Sequence, residues 1–368
     1  MPEKQSTVSK RSAPSTLPTL EFRIPISPTD SNMRMVRYFL ESVRHFGGPI
    51  ARSARTVLSV GDKAPPFDLS AQYPWTRDHN IEIHWVEAEQ FAEWQFDATG
   101  FDRFWIRSEA DVVAKIDADL LVTGDFDDIV LQAHREQKVL GFMAHVSPFS
   151  MKALDGRSSA ECWAHIYHVA GLEMPELKFQ YSAWDMDFNA IPGWRGPQVL
   201  SVDPAHRYGP AYYNAGLMVG PRDCFDRMGT TIVQDIEMVN QAMGKRSIYS
   251  YQIANSVCCD RHGIDYDTVS INYNFPMNLP TDLMRALNPD PEGHNRHEDT
   301  KIFHYIGGRK FFESPQSVLD LLADDTLDGA WPVFQDRLRK VHEIINAPPP
   351  RPTTLQRAAA RVMRMLKR

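Results

Sequence analysis

The stretch VVAKIDADLLVTGD, residues 112–125, decides how the rest of the chain reads. VVAKI is apolar but for one lysine and reads as a strand that runs straight into Asp117-Ala118-Asp119. Side chains two apart on a strand share a face. At the carboxyl edge of an open α/β sheet such a pair can face the ligand crevice together. Two anionic oxygen donors there suit a hard divalent cation, Mg²⁺ or Mn²⁺. The cation would bridge a nucleotide diphosphate that an acidic protein otherwise repels. The plain alternative is a solvated acidic turn. Two more triplets, Asp185-Met186-Asp187 and Asp265-Tyr266-Asp267, show that the bare motif is common. Neither follows a clear buried strand, and both read as loop acids.

Outward from this stretch, FRIPI (22–26), TVLSV (56–60) and IEIHWVEA (81–88) read as earlier strands, and VLGFMA (139–144), YYNAGLMVG (212–220) and KIFHYIG (301–307) as later ones. Asp30 or Ser31 can cap a helix that puts Met33, Val36, Phe39, Leu40, Val43 and Phe46 on one face before Gly47-Gly48 ends it. A second helix is expected over 101–108. Alternating strands and helices describe an open α/β sheet.

The predicted organisation is a flexible Ser/Thr/Pro-rich tail (1–20), one catalytic domain (21–312), and C-terminal helices packed on it (313–347). A proline-rich linker (348–352) and a basic amphipathic helix (353–368) follow. Trp184, Trp194, Arg195 and Tyr208 lie in an irregular stretch. They offer flat aromatic faces of the kind that suits a sugar ring, or simply pin a loop. Residues 276–299 read as a long loop, in which His294 and His297 are solvated.

The chain has 368 residues, 43% hydrophobic and 24% charged, ordinary globular composition. No run approaches the roughly 18 apolar residues of a membrane span, and the N-terminus shows no apolar secretory core. Four cysteines (Cys162, Cys224, Cys258, Cys259) fit no zinc spacing and read as reduced thiols, so a cytoplasmic protein is expected. The net charge of −7 hides a split, because residues 351–368 hold six basic residues and no acid. The body is correspondingly acidic, which argues against nucleic acid as a partner. The tail's Leu355, Ala358, Val362, Met365 and Leu366 recur at helical spacing with cations between them, the pattern of a helix lying on an anionic membrane surface.

A second chemical signal is His304-Tyr-Ile-Gly-Gly-Arg-Lys310. A neutral imidazole can complete a carboxylate metal site and tips the choice towards Mn²⁺. Gly307 and Gly308 let backbone N–H groups approach a phosphate, and Lys310 brings a point charge to it.

Together these residues resemble glycosyltransferases of the GT-A fold, most closely glycosyltransferase family 8. The family's LYLDADVIVTGDL stands here as VAKIDADLLVTGDF. Its Asn-Ala-Gly stretch is Asn214-Ala215-Gly216, and its His-Tyr-x-Gly-x-x-Lys is His304 to Lys310. The resemblance spans roughly residues 22–312 and implies a mixed central sheet flanked by helices. It implies that Asp117, Asp119 and His304 hold the metal, with Asp117 also reaching the ribose. Gly307 and Lys310 would contact the diphosphate, Asn214 the transferred sugar, Arg103 the donor, and Pro28, Thr29 and Asp30, more loosely, the base. The family's Asp-Gln-Asp has lost both carboxylates. Gln252, in Tyr251-Gln252-Ile253, aligns with either the glutamine or the second aspartate.

The reading is a divergent, metal-dependent glycosyltransferase. It moves a sugar from a nucleotide diphosphate sugar, UDP-linked by the resemblance, to a hydroxyl of a glycan, glycolipid or protein. The resemblance implies retention of configuration; an inverting enzyme would need a carboxylate base, for which Asp185 or Asp187 is available. Two alternatives remain at this stage. One is a non-catalytic sugar-nucleotide-binding protein. The other is a haloacid-dehalogenase-type phosphohydrolase, disfavoured by Leu121 and by the motif's late position.

Overall fold

The structure, a computed structural model, describes residues 17–144, 147–149, 156–181, 207–247, 249–277, 297–306, 308–327 and 330–347. Asp185, Trp184, Trp194, Arg195, His294, Gly307, the linker and the basic tail lie outside the described residues, as does the His297 side chain.

Among the described residues there are twelve strands: β1 (Leu20–Ile26), β2 (Arg55–Val60), β3 (Ile81–Trp85), β4 (Val112–Ile116), β5 (Leu120–Val122), β6 (Val139–Met143), β7 (Phe179–Gln180), β8 (Tyr208–Gly209), β9 (Tyr213–Pro221), β10 (Tyr266–Thr268), β11 (Phe275–Pro276) and β12 (Ile302–His304). Seven form a central sheet in the order β10-β6-β9-β4-β1-β2-β3. It is parallel except at β9, which runs antiparallel to both β4 and β6. A small sheet, β11-β12-β5, lies beyond the end of β4.

The period of two divides the sheet's faces between two cores. Phe22, Ile24, Ile26, Val112, Ala114 and Ile116 pack under the helix Asp30–Phe46 and the last helix, Trp331–Asn346. Val113 and Met218 join the opposite core with Ile253 and Val257 of the helix Ser250–Arg261. The alternate positions of β1 and β4 carry charge instead: Glu21, Arg23 and Lys115 are all buried, and Arg23 stands opposite Lys115 in register. Phe334, Leu338 and Val341 fasten the last helix to the first core. It runs antiparallel to Asp30–Phe46: Tyr38 Oη and His342 Nδ1 are 2.5 Å apart, while Arg337 lies over the Phe46 ring.

Three local expectations are corrected. The helix expected over 101–108 is Phe96–Asp102. The apolar spacing of Phe101, Phe104 and Trp105 continues past its end, because Arg103 turns inward to bond main-chain carbonyls. Tyr266 and Asp267 of the second triplet open β10, at the sheet edge, while Asp265 lies just before it as a loop acid. An edge strand with outward acids has the composition of a loop. Thr29, rather than Asp30 or Ser31, caps the first long helix, its hydroxyl accepting from the Asn32 N–H. All four cysteines are buried thiols outside any disulfide.

At the far end of that helix, about 25 Å from its start at 1.5 Å per residue, Asp127 caps the short helix Pro49–Arg52. Its carboxylate accepts from the N–H groups of Ile50 (2.7 Å) and Ala51 (3.0 Å) in a buried position. Asp127→Ala leaves both donors unpaired and should destabilise the protein by about 1–3 kcal/mol. Urea denaturation checks this, with divalent-cation binding at the remote cleft expected to stay unchanged in the folded variant.

Candidate active site

The chain leaves the large sheet at Ile116 and enters the small one at Leu120, so Asp117, Ala118 and Asp119 form a step between the two sheets. Remote main-chain hydrogen bonds pin both ends of the step. The Asp117 N–H donates to the Gly216 carbonyl (3.1 Å), and the Tyr305 N–H to the Asp119 carbonyl (3.1 Å). Across the antiparallel β12–β5 pair His304 stands opposite Leu120. Its Nε2 comes within 3.3 Å of Asp119 Oδ1.

One ligating atom from each of Asp117, Asp119 and His304 lies within 4.8 Å of the other two. An octahedral ion with bonds of about 2.0–2.2 Å spaces its ligands about 3 Å apart when adjacent and about 4.4 Å when opposite. The three residues therefore fit a divalent cation with small side-chain adjustments. Two oxygens and one imidazole nitrogen favour Mn²⁺ or Mg²⁺ over the thiolate-preferring metals.

The electrostatics match that use. Burial raises the Asp117 carboxyl, the Arg103 guanidinium pulls it down, and the neighbouring Asp119 pushes it up again; the net shift is upward. Burial also raises Asp119, but the charge and hydrogen bond of His304 outweigh it, and its net shift is downward. Burial lowers His304, and Asp119 and Asp117 more than reverse this, leaving it raised. Two carboxylates this close hold a cation between them more readily than either holds its charge alone.

The step opens onto a cleft of about 450 Å³. Asp117, Ala118 and Asp119 form one wall; Pro25, Ser27, Asn32 and Met35, from the end of β1 and the start of the first long helix, form another. Phe96, about half exposed, and Arg309 complete it. Phe96 escaped the sequence reading, having no motif around it; Ser27 and Asn32 flank the Pro28–Asp30 stretch and Arg309 lies within the His304–Lys310 motif, but none of the three was singled out. Of the residues assigned to the base, Thr29 spends its hydroxyl on the helix cap, and Asp30 accepts a hydrogen bond from Tyr73 Oη (2.6 Å). Pro28 lies between Ser27 and Thr29, in the turn before that helix. Lys310 is exposed, with Nζ 4.9 Å from the Phe311 ring centroid.

Arg103 is buried beneath the step. It donates to the carbonyls of Gly100 (3.1 Å), Arg23 (3.3 Å) and Ile116 (2.9 Å), and its Nη1 is 3.8 Å from Asp117 Oδ1. Lys115, two residues before Asp117, is buried with its ammonium 3.3 Å from the Phe104 ring centroid and hydrogen-bonded to Tyr251 Oη. Tyr251 in turn donates to the Gly100 carbonyl (3.2 Å). Gln252, half-buried, follows in the first turn of its helix.

Asn214, at the start of β9, is half-buried. Its Oδ1 accepts from the Gly216 N–H (2.9 Å) and lies 3.3 Å from Asn274 Nδ2. Asn274 Oδ1 lies 2.9 Å from His304 Nδ1. Asn274 carried no sequence signal, being one polar residue between Tyr273 and Phe275.

No family model and no curated protein matches the chain. Solved structures do. The galactosyltransferase LgtC, solved in complex with donor and acceptor sugar analogues, superposes with a TM-score of 0.50 at 14% identity, over 89% of this chain and 97% of that one. An active-site mutant of LgtC gives 0.50 at 15% identity over the same shares. The chain thus has the GT-A glycosyltransferase fold: a mixed α/β sheet flanked by helices, with a half-buried Asp-x-Asp and a buried histidine gathered at the sheet's carboxyl edge.

Gly216 makes this gathering sterically feasible. A Cβ there would sit 2.3 Å from His304 Cε1 and 2.6 Å from its Nδ1. Gly216→Ala should push the imidazole off the step and weaken Mn²⁺ binding by about tenfold or more, the usual scale when a ligand's support is lost. Calorimetry checks this. Added to His304→Ala, which vacates the same space, Gly216→Ala should cost nothing further.

Proposed function

We propose that this protein is a retaining, metal-dependent glycosyltransferase that transfers a sugar from a UDP-sugar to an acceptor hydroxyl. The observation that carries the reading is the convergence of Asp117, Asp119 and His304 beside an open cleft. In this reading those three residues hold Mn²⁺ or Mg²⁺. The bound cation supplies Lewis-acid neutralisation of the leaving diphosphate. The cleft between Ser27, Asn32 and Phe96 takes the nucleoside, and Arg309, Lys310 and Gly307 face the phosphates. Arg103 holds Asp117 in place from below. Asn214 and Gln252 orient the transferred sugar, and Asp185 belongs to the acceptor side. The support for Gln252 is its place in the family motif and its position beyond Tyr251, which is tied to Lys115. Retention rests on the family resemblance.

The acceptor, in this proposal, is an envelope glycan or glycolipid. No helix among the described residues is long and apolar enough to cross a membrane. The protein instead reaches an anionic inner membrane surface from the cytoplasm through residues 353–368, whose five cations, with Arg351 just before them, are worth about 1 kcal/mol each before losses.

The test is a screen of nucleotide sugars with Mn²⁺ that reads released nucleoside diphosphate. Turnover of a UDP-sugar is expected, and Asp119→Ala should abolish it without unfolding the protein. Donor binding without turnover would make the protein a non-catalytic sugar-nucleotide binder; release of inorganic phosphate alone would mark a phosphohydrolase. Separately, removing residues 351–368 should release the protein from anionic vesicles, with binding before removal falling steeply as salt rises. Turnover of a soluble acceptor should stay nearly unchanged. Equal binding to neutral vesicles would refute the membrane role.

A further inference from the structure

A histidine can ligate a cation through Nε2 only if the proton of the neutral ring sits on Nδ1. Which nitrogen carries it here follows from one backbone amide. The Gly216 N–H can only donate, so the atom of the Asn214 carboxamide 2.9 Å away is its oxygen. That oxygen also faces the Asn274 carboxamide at 3.3 Å. Two oxygens would repel, so Asn274 presents its NH₂ there. Its own oxygen then turns to His304 Nδ1, at 2.9 Å. An oxygen facing a ring nitrogen at that distance requires the proton on Nδ1. Nε2, on the other side of the ring, faces Asp119 Oδ1 at 3.3 Å and becomes a ligand atom once a cation takes the place of any proton shared with that carboxylate.

We propose that Asn274 is a positioning residue for the metal centre: with Asn214 it fixes the Nδ1–H tautomer and the ring plane of His304, so that Nε2 is presented to the cation. The proposal rests on the reading of Asp117, Asp119 and His304 as a divalent-cation site. Asn274 suits the task because it is itself immobile. It is 1% exposed, and its N–H donates to the Ile271 carbonyl (3.0 Å). It directly precedes β11, where Pro276 pairs with His304. The same chain of bonds gives Asn214 a second task. Its oxygen is committed to Gly216 and Asn274, so only its NH₂ is free to meet a sugar hydroxyl.

Two variants test this. Asn274→Leu keeps the volume but neither accepts nor donates. Asn274→Asp keeps an acceptor for the Nδ1 proton. The first readout needs no metal and no activity: long-range ¹H–¹⁵N spectra of the metal-free protein, at a pH where His304 is neutral. The wild type and Asn274→Asp should show Nδ1–H, and Asn274→Leu a mixture of tautomers or Nε2–H. The second is calorimetry with Mn²⁺ and with Mg²⁺. Asn274→Leu should weaken Mn²⁺ about 10- to 100-fold, Mg²⁺ by less than about threefold since that ion leans on oxygen donors, and Asn274→Asp neither. A purely packing role would weaken both ions alike and leave the tautomer as it was. An Nε2–H tautomer in the wild type would overturn the proposal, as would wild-type Mn²⁺ affinity and tautomer in Asn274→Leu. Either can occur with the metal site intact. A wild type that binds neither ion would overturn the metal-site reading, and this proposal with it, whatever the tautomer.

Discussion

The three-residue step from Ile116 to Leu120 is the constraint on which the rest depends. A strand that simply continued would carry its side chains on alternating faces of one sheet. Here the chain changes sheets, and the turn between them brings both aspartates to the seam. The seam stays fixed because its amides and carbonyls are bonded to β9 on one side and to the β12 end on the other. The same strands deliver Asn214 and His304. Fixing the backbone of the step and collecting the remaining polar groups are therefore one act of folding.

Beneath the step lies an unusual amount of buried positive charge. Arg23, Arg103 and Lys115 are each almost wholly buried, and Glu21 is the buried acid paired with Arg23. Burial drives the Lys115 ammonium well below its usual range, and the nearby arginines push the same way. The ring faces of Phe104 and Tyr251 offset part of that cost through their quadrupoles.

Much of this was legible in the sequence, and what escaped did so for physical reasons. β1, β2 and β4 announced themselves because buried strands are continuous apolar runs. Asp117 and Asp119 stood out because they ended such a run, and His304 because it followed one. Asn274 was silent: its importance lies in two bonds to residues 30 and 60 positions away, and no local pattern encodes that. The β10 edge strand was hidden by its acids, and β11 by a length of two residues. The cleft residues Asn32 and Phe96 look like ordinary members of their helices until the fold sets those helices around one opening.

The pairing of β12 with β5 sets a timetable for the molecule. Tyr305 and Ala118, in contact in the folded chain, are 187 residues apart. At a synthesis rate of 5–20 residues per second, about 10–40 s separate the emergence of the step from that of its histidine. Throughout that interval Asp117 and Asp119 repel each other with no imidazole beside them, whereas β1, β2, β3 and Arg103 already exist and can assemble around β4. The floor of Arg23, Arg103 and Lys115 can therefore form before the step meets its histidine. Contacts of such long range form slowly.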